Sequence, residues 1–234
     1  PKMSSMHRAI TSLLLLFLAA TSVPARCQDG AEWDQARREL VASQRGSMGQ
    51  AIERWRMLSQ NSGYSFSEYT GYLLTYPGFP DEAKIRGYAE AALTREAVDY
   101  PRVLAFFDRV KPAGNPARAL YALALASAGR PEARAAAIEA WRGGAMNETS
   151  AAALQAQFGS TFTQADYDAR MNALLWAGDV YQAQQTLNFV STAARPAFTA
   201  RLAMLQGNSP EQLGIQVTPD MLRDAGYVFN RIRQ

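Results

Sequence analysis

The side chains with the best claim to chemistry are carboxylates. Glu68 sits among Phe66, Tyr69 and Tyr72, and an apolar surround of that kind raises a carboxyl pKa and suits it to general-acid work or to a sugar. The competing reading, which the spacing favours, is an aromatic core with Glu68 at its rim. Asp166 and Asp168 lie two apart, so on a helix they point to different sides, and Asp166 follows Thr163 by the three residues of first-turn capping. Asp81 and Glu82 are likewise first-turn acids. Gly143-Gly144 lacks the following Lys-Ser/Thr and the preceding strand of a phosphate cradle. Asn147-Glu148-Thr149 fits a glycosylation sequon.

The sequence has one His, His7, and one Cys, Cys27. His7 precedes an apolar run and would leave with it. Ser-His-Asp and Cys-His nucleophile systems, and any His-ligated metal, are then excluded. One Cys cannot form an internal disulfide. No catalytic, cofactor-binding or metal-binding residue is assigned, and no cofactor is expected.

The first residues explain that loss. A polar start with Arg8 precedes the run Ala9 to Ala20, which is too short to span a membrane. Val23-Pro24-Ala25 supplies a small-residue cleavage pattern, so residues 1–25 read as a secretory signal peptide. Lipidation at Cys27 is the alternative, opposed by Arg26 where a small residue is wanted. Pro1-Lys2 in front of Met3 points to a translated fragment. With no second long apolar stretch, no stable membrane span is expected.

The chain has 234 residues, 48% hydrophobic and 19% charged, the composition of a folded protein. A net charge of +3 invites a nucleic-acid reading, but loss of Lys2 and Arg8 takes 24 basic residues to 22 against 21 acidic. Duplex binding needs a clustered basic face, so nucleic acid is not an expected partner.

The elements behind the carboxylates are helices throughout. Helical spacing covers Ala31 to Ser43, Met48 to Leu58 (Ile52, Trp55 and Leu58 inward) and Ser65 to Thr75, up to the break at Tyr76-Pro77-Gly78-Phe79-Pro80. Asp81 starts the next helix, with Ile85, Tyr88, Ala89, Ala92 and Leu93 as its stripe. Tyr100-Pro101 opens another, with Val103, Leu104, Phe107 and Val110 inward. Asn115 reads as an N-cap with Pro116 at the first helical position. Gly129 is expected as a left-handed stop, followed by a partner from Pro131 to Trp141. Thr163 caps a helix stopped by Gly178, and Asp179 begins its partner. Aligning Gly129 with Gly178 pairs Leu125 with Leu174, a helix–Gly turn–helix unit repeated about 49 residues on. Ala at the contacts lets helices approach, and Trp141 and Trp176 are expected to fill the wider gaps. Such units bury a full face only by stacking on neighbours. The expected fold is all-α: antiparallel helix pairs stacked into a right-handed-type, U-shaped α-superhelix over residues 26–234. From Thr218-Pro219 a last helix carries Met221, Leu222, Ala225, Val228, Phe229 and Ile232 as an apolar stripe with no partner, which predicts that the natural protein continues.

Several stretches resemble the N-terminal helical part of soluble lytic murein transglycosylases. They are Ser62-Gly63-Tyr64-Ser65-Phe66 through Tyr76-Pro77-Gly78-Phe79-Pro80-Asp81-Glu82, and the run Pro116 to Gly207. The second includes Ala128-Gly129-Arg130-Pro131-Glu132-Ala133 and Asp168-Ala169-Arg170-Met171-Asn172-Ala173-Leu174-Leu175-Trp176-Ala177-Gly178-Asp179. It ends with Arg195-Pro196 through Arg201-Leu202-Ala203-Met204. The likeness covers most of residues 60–234 and is a pattern of helices. It implies a periplasmic cell-wall enzyme of Gram-negative bacteria, with peptidoglycan glycan strands as partner and room for other cell-wall proteins. A lysozyme-like C-terminal domain would cleave the bond between N-acetylmuramic acid and N-acetylglucosamine, with one Glu as acid then base, giving a 1,6-anhydro product. This sequence has neither the family's Glu-Ser pair nor its Gly-Leu-Met-Gln-type segment, so no catalytic residue carries over and the expectation is the scaffold portion. The competing readings are a stand-alone periplasmic helical-repeat adaptor binding a peptide and an unrecognised enzyme.

Overall fold

The computed structural model describes residues 30–42 and 48–233. The signal peptide expected over residues 1–25, with His7, and the thiol of Cys27 lie outside them. Among the described residues there are thirteen α-helices and no strand, so the all-α expectation holds. None of these helices is long and apolar enough to cross a membrane.

In chain order the helices are α1 (Gly30–Ala42), α2 (Met48–Gln60), α3 (Phe66–Thr75), α4 (Glu82–Ala92), α5 (Tyr100–Phe107), α6 (Asn115–Ser127) and α7 (Ala133–Arg142). They continue as α8 (Glu148–Phe158), α9 (Gln164–Ala177), α10 (Val180–Thr186), α11 (Arg195–Leu205), α12 (Pro219–Arg223) and α13 (Ala225–Ile232). Neighbours in sequence pack together, notably α3 on α4, α5 on α6, α6 on α7 and α9 on α10. Helix α1 reaches forward to α3 and α5, and α9 touches α7, α11 and α13.

The core is a series of clusters, the first large and the rest smaller, each shared by several helices. The first joins α3 to α6 through Phe66, Tyr69, Tyr72, Ile85, Phe106 and Phe107, all fully buried. Phe66 meets Phe106 edge-on at 5.8 Å, the arrangement ring quadrupoles favour. The second joins α6, α7 and α8 around Leu123, Ala137, Trp141 and Leu154. The third joins α9, α10 and α11 around Met171, Leu174, Leu175, Ala183 and Leu202, and the fourth holds α11 to α13.

The repeated turn shares its glycine and its closing hydrogen bond, although α10 starts at Val180, directly after Asp179, while α7 starts at Ala133 and not at the expected Pro131. Gly129 and Gly178 are left-handed, at φ 65° and 74°, where any other residue would strain. The next residue closes the same hydrogen bond each time: the Arg130 amide donates to the Leu125 carbonyl at 2.9 Å and the Asp179 amide to Leu174 at 3.0 Å. Leu125 and Leu174 are the pair that sequence alignment of the two glycines brings together.

Several expectations are corrected. Gly114, not Asn115, is the N-cap of α6. Asn115 instead reaches across to donate to the Ala140 and Ala145 carbonyls at 3.0 and 3.1 Å, tying α6 to the end of α7. Ile52 is 41% exposed, because α2 is buried through Ala51 and Leu58. Trp176 is 42% exposed and covers Phe229 at 4.7 Å rather than filling a gap. The last helix is two, since the Asp224 carboxylate caps the Tyr227 amide at 2.7 Å and starts α13 afresh. Its buried side is Gly226, Tyr227 and Asn230, while Leu222, Val228 and Ile232 of the expected stripe face outward. A helix absent from the sequence reading, α8, begins at the sequon, where the Asn147 side chain accepts the Ser150 amide at 2.7 Å.

Gly144 sets the closest approach between α7 and α9. Its φ is 87°, and a Cβ there would lie 2.7 Å from the Ala173 Cβ and 3.2 Å from the α9 backbone. Gly144→Ala is therefore expected to destabilise the protein by about 2 to 4 kcal/mol, adding overpacking to left-handed strain. Urea unfolding checks this, and a loss within experimental error would show that the two helices separate freely.

Candidate functional site

Of the carboxylates singled out by sequence, Glu68 and Asp166 close helix capping boxes, whereas Asp81 heads α4 with no side-chain cap hydrogen bond and Glu82 accepts the Gly78 amide at 2.7 Å. Glu68 and Ser65 form a reciprocal capping box on α3, with the Ser65 amide donating to Glu68 at 3.0 Å and Arg54 at 3.1 Å. Burial pushes the Glu68 carboxyl up, but the Ser65 hydrogen bonds and Arg54 outweigh it and hold the pKa below the ordinary 4.5. A group so stabilised as an anion is the opposite of a general acid poised near neutrality. Asp166 does the same for α9 with Thr163, and Arg142 adds a contact at 2.5 Å. Asp168 points elsewhere, accepting the Ser191 amide at 2.8 Å. Among the described residues no group of acidic, His or Cys side chains is arranged to hold a metal.

The structure does form a site that the sequence reading did not assemble, between α7, α8, α9 and α10. A cavity of about 370 Å³ there is lined by Trp141, Tyr167 and Phe189, by Gln155, Gln182 and Gln185, and by Arg170 and Glu148. Three rings make its aromatic wall. Tyr167 meets Trp141 edge-on at 5.7 Å and stacks on Phe189 at 5.2 Å, and Phe162 backs Trp141 at 4.7 Å. Phe189 is 54% exposed, so the face not covered by Tyr167 meets water at a cost. Gln155 holds the Tyr167 hydroxyl at 3.0 Å.

Arg170 forms the floor. It is 3% exposed, and its guanidinium lies 4.1 Å from the centre of the Trp141 ring. One terminal nitrogen donates to the Gly144 carbonyl and the other to the Gln182 side-chain carbonyl, each at 2.7 Å. The Gln182 amide then donates to the Met146 carbonyl at 2.7 Å and to Asp179 at 2.9 Å. One arginine thus joins the α7 C-terminus, α9 and α10 at a single point. Burial is the dominant influence on its pKa, lowering it from 12.5 to about 10 even though Asp179 acts the other way.

Two comparisons within the chain show what is unusual here. A larger cavity, about 580 Å³ between α5, α6 and α7, also contains an arginine, Arg130. There the charge is neutralised, by Asp108 at 2.9 Å and Glu132 at 2.9 Å. Tyr121, also bonded to Asp108 at 2.9 Å, is pushed up to about 12 by burial first and by that bond second. Arg201 is as buried as Arg170 but lines neither cavity. It is spent on Asn230 and Asn172 at 2.8 and 2.6 Å.

No protein-family model, no curated protein and no solved structure matches this chain. The site is therefore read from its own chemistry.

Asp166 links the caps to the groove, because it fixes the first turn of α9, the helix that carries Tyr167 and Arg170. Its carboxyl is pushed up by burial but brought below its ordinary 3.8 by Thr163 and Arg142. A depressed folded-state pKa gives stability that is complete above the unfolded value and is lost as pH falls through the folded one. The protein should accordingly lose stability below about pH 4, and Asp166→Asn, which removes the charge that Thr163 and Arg142 stabilise, should be less stable at pH 7 and show a shallower acid dependence. Urea titrations of both proteins between pH 3 and 7 measure it; parallel curves would mean that Asp166 titrates alike folded and unfolded.

Proposed function

We propose that this chain is a non-catalytic helical scaffold that binds glycan strands of the cell wall, the part of a periplasmic peptidoglycan lytic transglycosylase that holds substrate for a catalytic domain. The observation that carries the reading is the groove of Trp141, Tyr167 and Phe189 flanked by Gln155 and Gln185. Flat aromatic faces cover the apolar faces of a pyranose ring, and amide side chains exchange hydrogen bonds with its hydroxyls at the edges. The recurrence of a helix–Gly turn–helix unit at Gly129 and Gly178, each with the same backbone hydrogen bond after the glycine, is what supports a stacked, superhelical and U-shaped arrangement of pairs. The helical pattern that resembles lytic transglycosylases supplies the cell-wall context, and the periplasmic location rests on the leader-like segment at residues 1–25.

A second reading has its own observation. Trp176, Leu222, Val228 and Ile232 are exposed near the α9–α13 contact, an apolar surface of the kind a helical-repeat adaptor offers to a peptide or protein.

Residues 26–234 should bind purified peptidoglycan sacculi without releasing anhydro-muropeptides. Phe189→Ala removes a half-exposed ring, at a folding cost of about 1 kcal/mol for its stack on Tyr167, and should weaken sacculus binding about fivefold to tenfold, the equivalent of roughly 1 to 1.4 kcal/mol. Sedimentation of protein with sacculi gives the affinity. Unchanged binding by this variant would move the contact away from the groove, absence of binding would favour the adaptor, and release of anhydro products would reveal a catalytic carboxylate.

A further inference from the structure

The groove contains more hydrogen-bond donors than its own acceptors use. Arg170 carries five N–H groups, and the contacts to Gly144 and Gln182 use one from each terminal nitrogen. Its Nε–H is buried without an acceptor, and so is the Trp141 indole N–H. Both residues line the same cavity. A buried donor left unmade costs roughly 1 to 3 kcal/mol, more when charged; such donors also occur at Trp33, Arg37, Arg54 and Arg201, and what sets this pair apart is that both side chains line one cavity.

The charge count points the same way. Among the described residues no carboxylate forms an ion pair with Arg170. Asp179 is held off by Gln182, which takes the Asp179 oxygen on its own amide and offers Arg170 a neutral carbonyl. Glu148 lines the exposed rim and is not paired with Arg170. Buried arginines elsewhere in proteins are neutralised by partners, and even the partly exposed Arg130 is neutralised here. Arg201 also lacks an ion pair and leaves one terminal nitrogen buried without an acceptor, but two asparagines accept from its other nitrogens and it lines neither cavity.

We propose that Arg170, with the Trp141 indole N–H, is the receptor for a carboxylate carried on a flat ring-bearing ligand that lies along Trp141, Tyr167 and Phe189. A carboxylate is the group that matches a planar guanidinium edge with two parallel hydrogen bonds. Its charge would replace the missing counter-ion, and the aromatic wall would take the apolar face of the ring. A sugar acid has both parts. In identifying the ligand as a sugar acid, the inference rests on the reading of the groove as a glycan cleft. The carboxylate requirement rests on the donors alone.

The test separates the two. Fluorine NMR of 4-fluorobenzoate and of its neutral counterpart 4-fluorobenzamide, titrated with the protein, reads the carboxylate requirement on a common ring. The acid should bind about tenfold or more tighter than the amide, the scale of a charge-assisted pair. That preference should fall in Arg170→Lys, which keeps the charge and loses the planar edge. Should the variant not fold, as circular dichroism would show, the acid–amide comparison on the unaltered protein still decides. Equal affinity for acid and amide, or no binding of the acid, overturns the carboxylate receptor. Glucuronate is then used as competitor with glucose as control. Displacement of 4-fluorobenzoate by glucuronate alone supports the sugar acid. If neither displaces it while the acid–amide preference holds, the receptor stands and the glycan reading of the groove loses its support.

Discussion

The contact of Arg170 with Gly144 and Gln182 determines the shape of the middle of this molecule. A guanidinium stripped of water and given no counter-ion is expensive, and it is tolerated only because its surroundings hold it by several bonds at once. Those bonds join the end of α7, the middle of α9 and the first turn of α10. Gly144 must be a glycine for α7 and α9 to approach closely enough for the first of them. Gln182 must be an amide, because it offers oxygen to Arg170 and nitrogen to Met146 and Asp179. The groove is a consequence: with three helices fixed at that point and α8 set against α7, the aromatic side chains between them line an opening instead of closing a core.

This division of labour suits a binding scaffold. The apolar clusters follow one another along the chain, a large one from α2 to α7 and smaller ones after it, and neighbouring helices share them. Polar ties are correspondingly prominent at the junctions: Asn115 across α6 and α7, Arg170 across α7, α9 and α10, Arg201 across α9, α11 and α13. Such ties specify one arrangement of neighbours where apolar contact alone would permit several. They also leave the exposed sides of the helices available for a ligand.

The helical class and most boundaries were legible in the sequence because capping chemistry is local. Ser65 with Glu68, Thr163 with Asp166, and the stops at Gly129 and Gly178 each need only a few adjacent residues, and each appears where its signal lies. What was not legible depends on partners distant in sequence. Asn115 looks like a cap until the Ala140 and Ala145 carbonyls draw its side chain away. Asp224 divides a stripe that would otherwise run in one phase, and α13 then buries Gly226, Tyr227 and Asn230 and leaves Val228 and Ile232 outward. Helix α8 was hidden behind a sequon motif, although Asn147 followed by Glu148 is an adequate helix start. The site was missed for the same kind of reason. Arg170 reads as one more surface arginine, and only its burial beside Trp141, a residue 29 positions earlier, shows that its charge is unpaired.

The most direct measurement is a double-mutant cycle between Arg170→Met and Gln182→Leu, with stability taken from urea unfolding. If this contact holds α9 to α10, the two substitutions should couple by about 1.5 kcal/mol or more, the worth of a buried hydrogen bond to a charged group. Additive losses, within about 0.5 kcal/mol, would contradict the account, because the groove would then be held by its apolar contacts and Arg170 would be incidental to it.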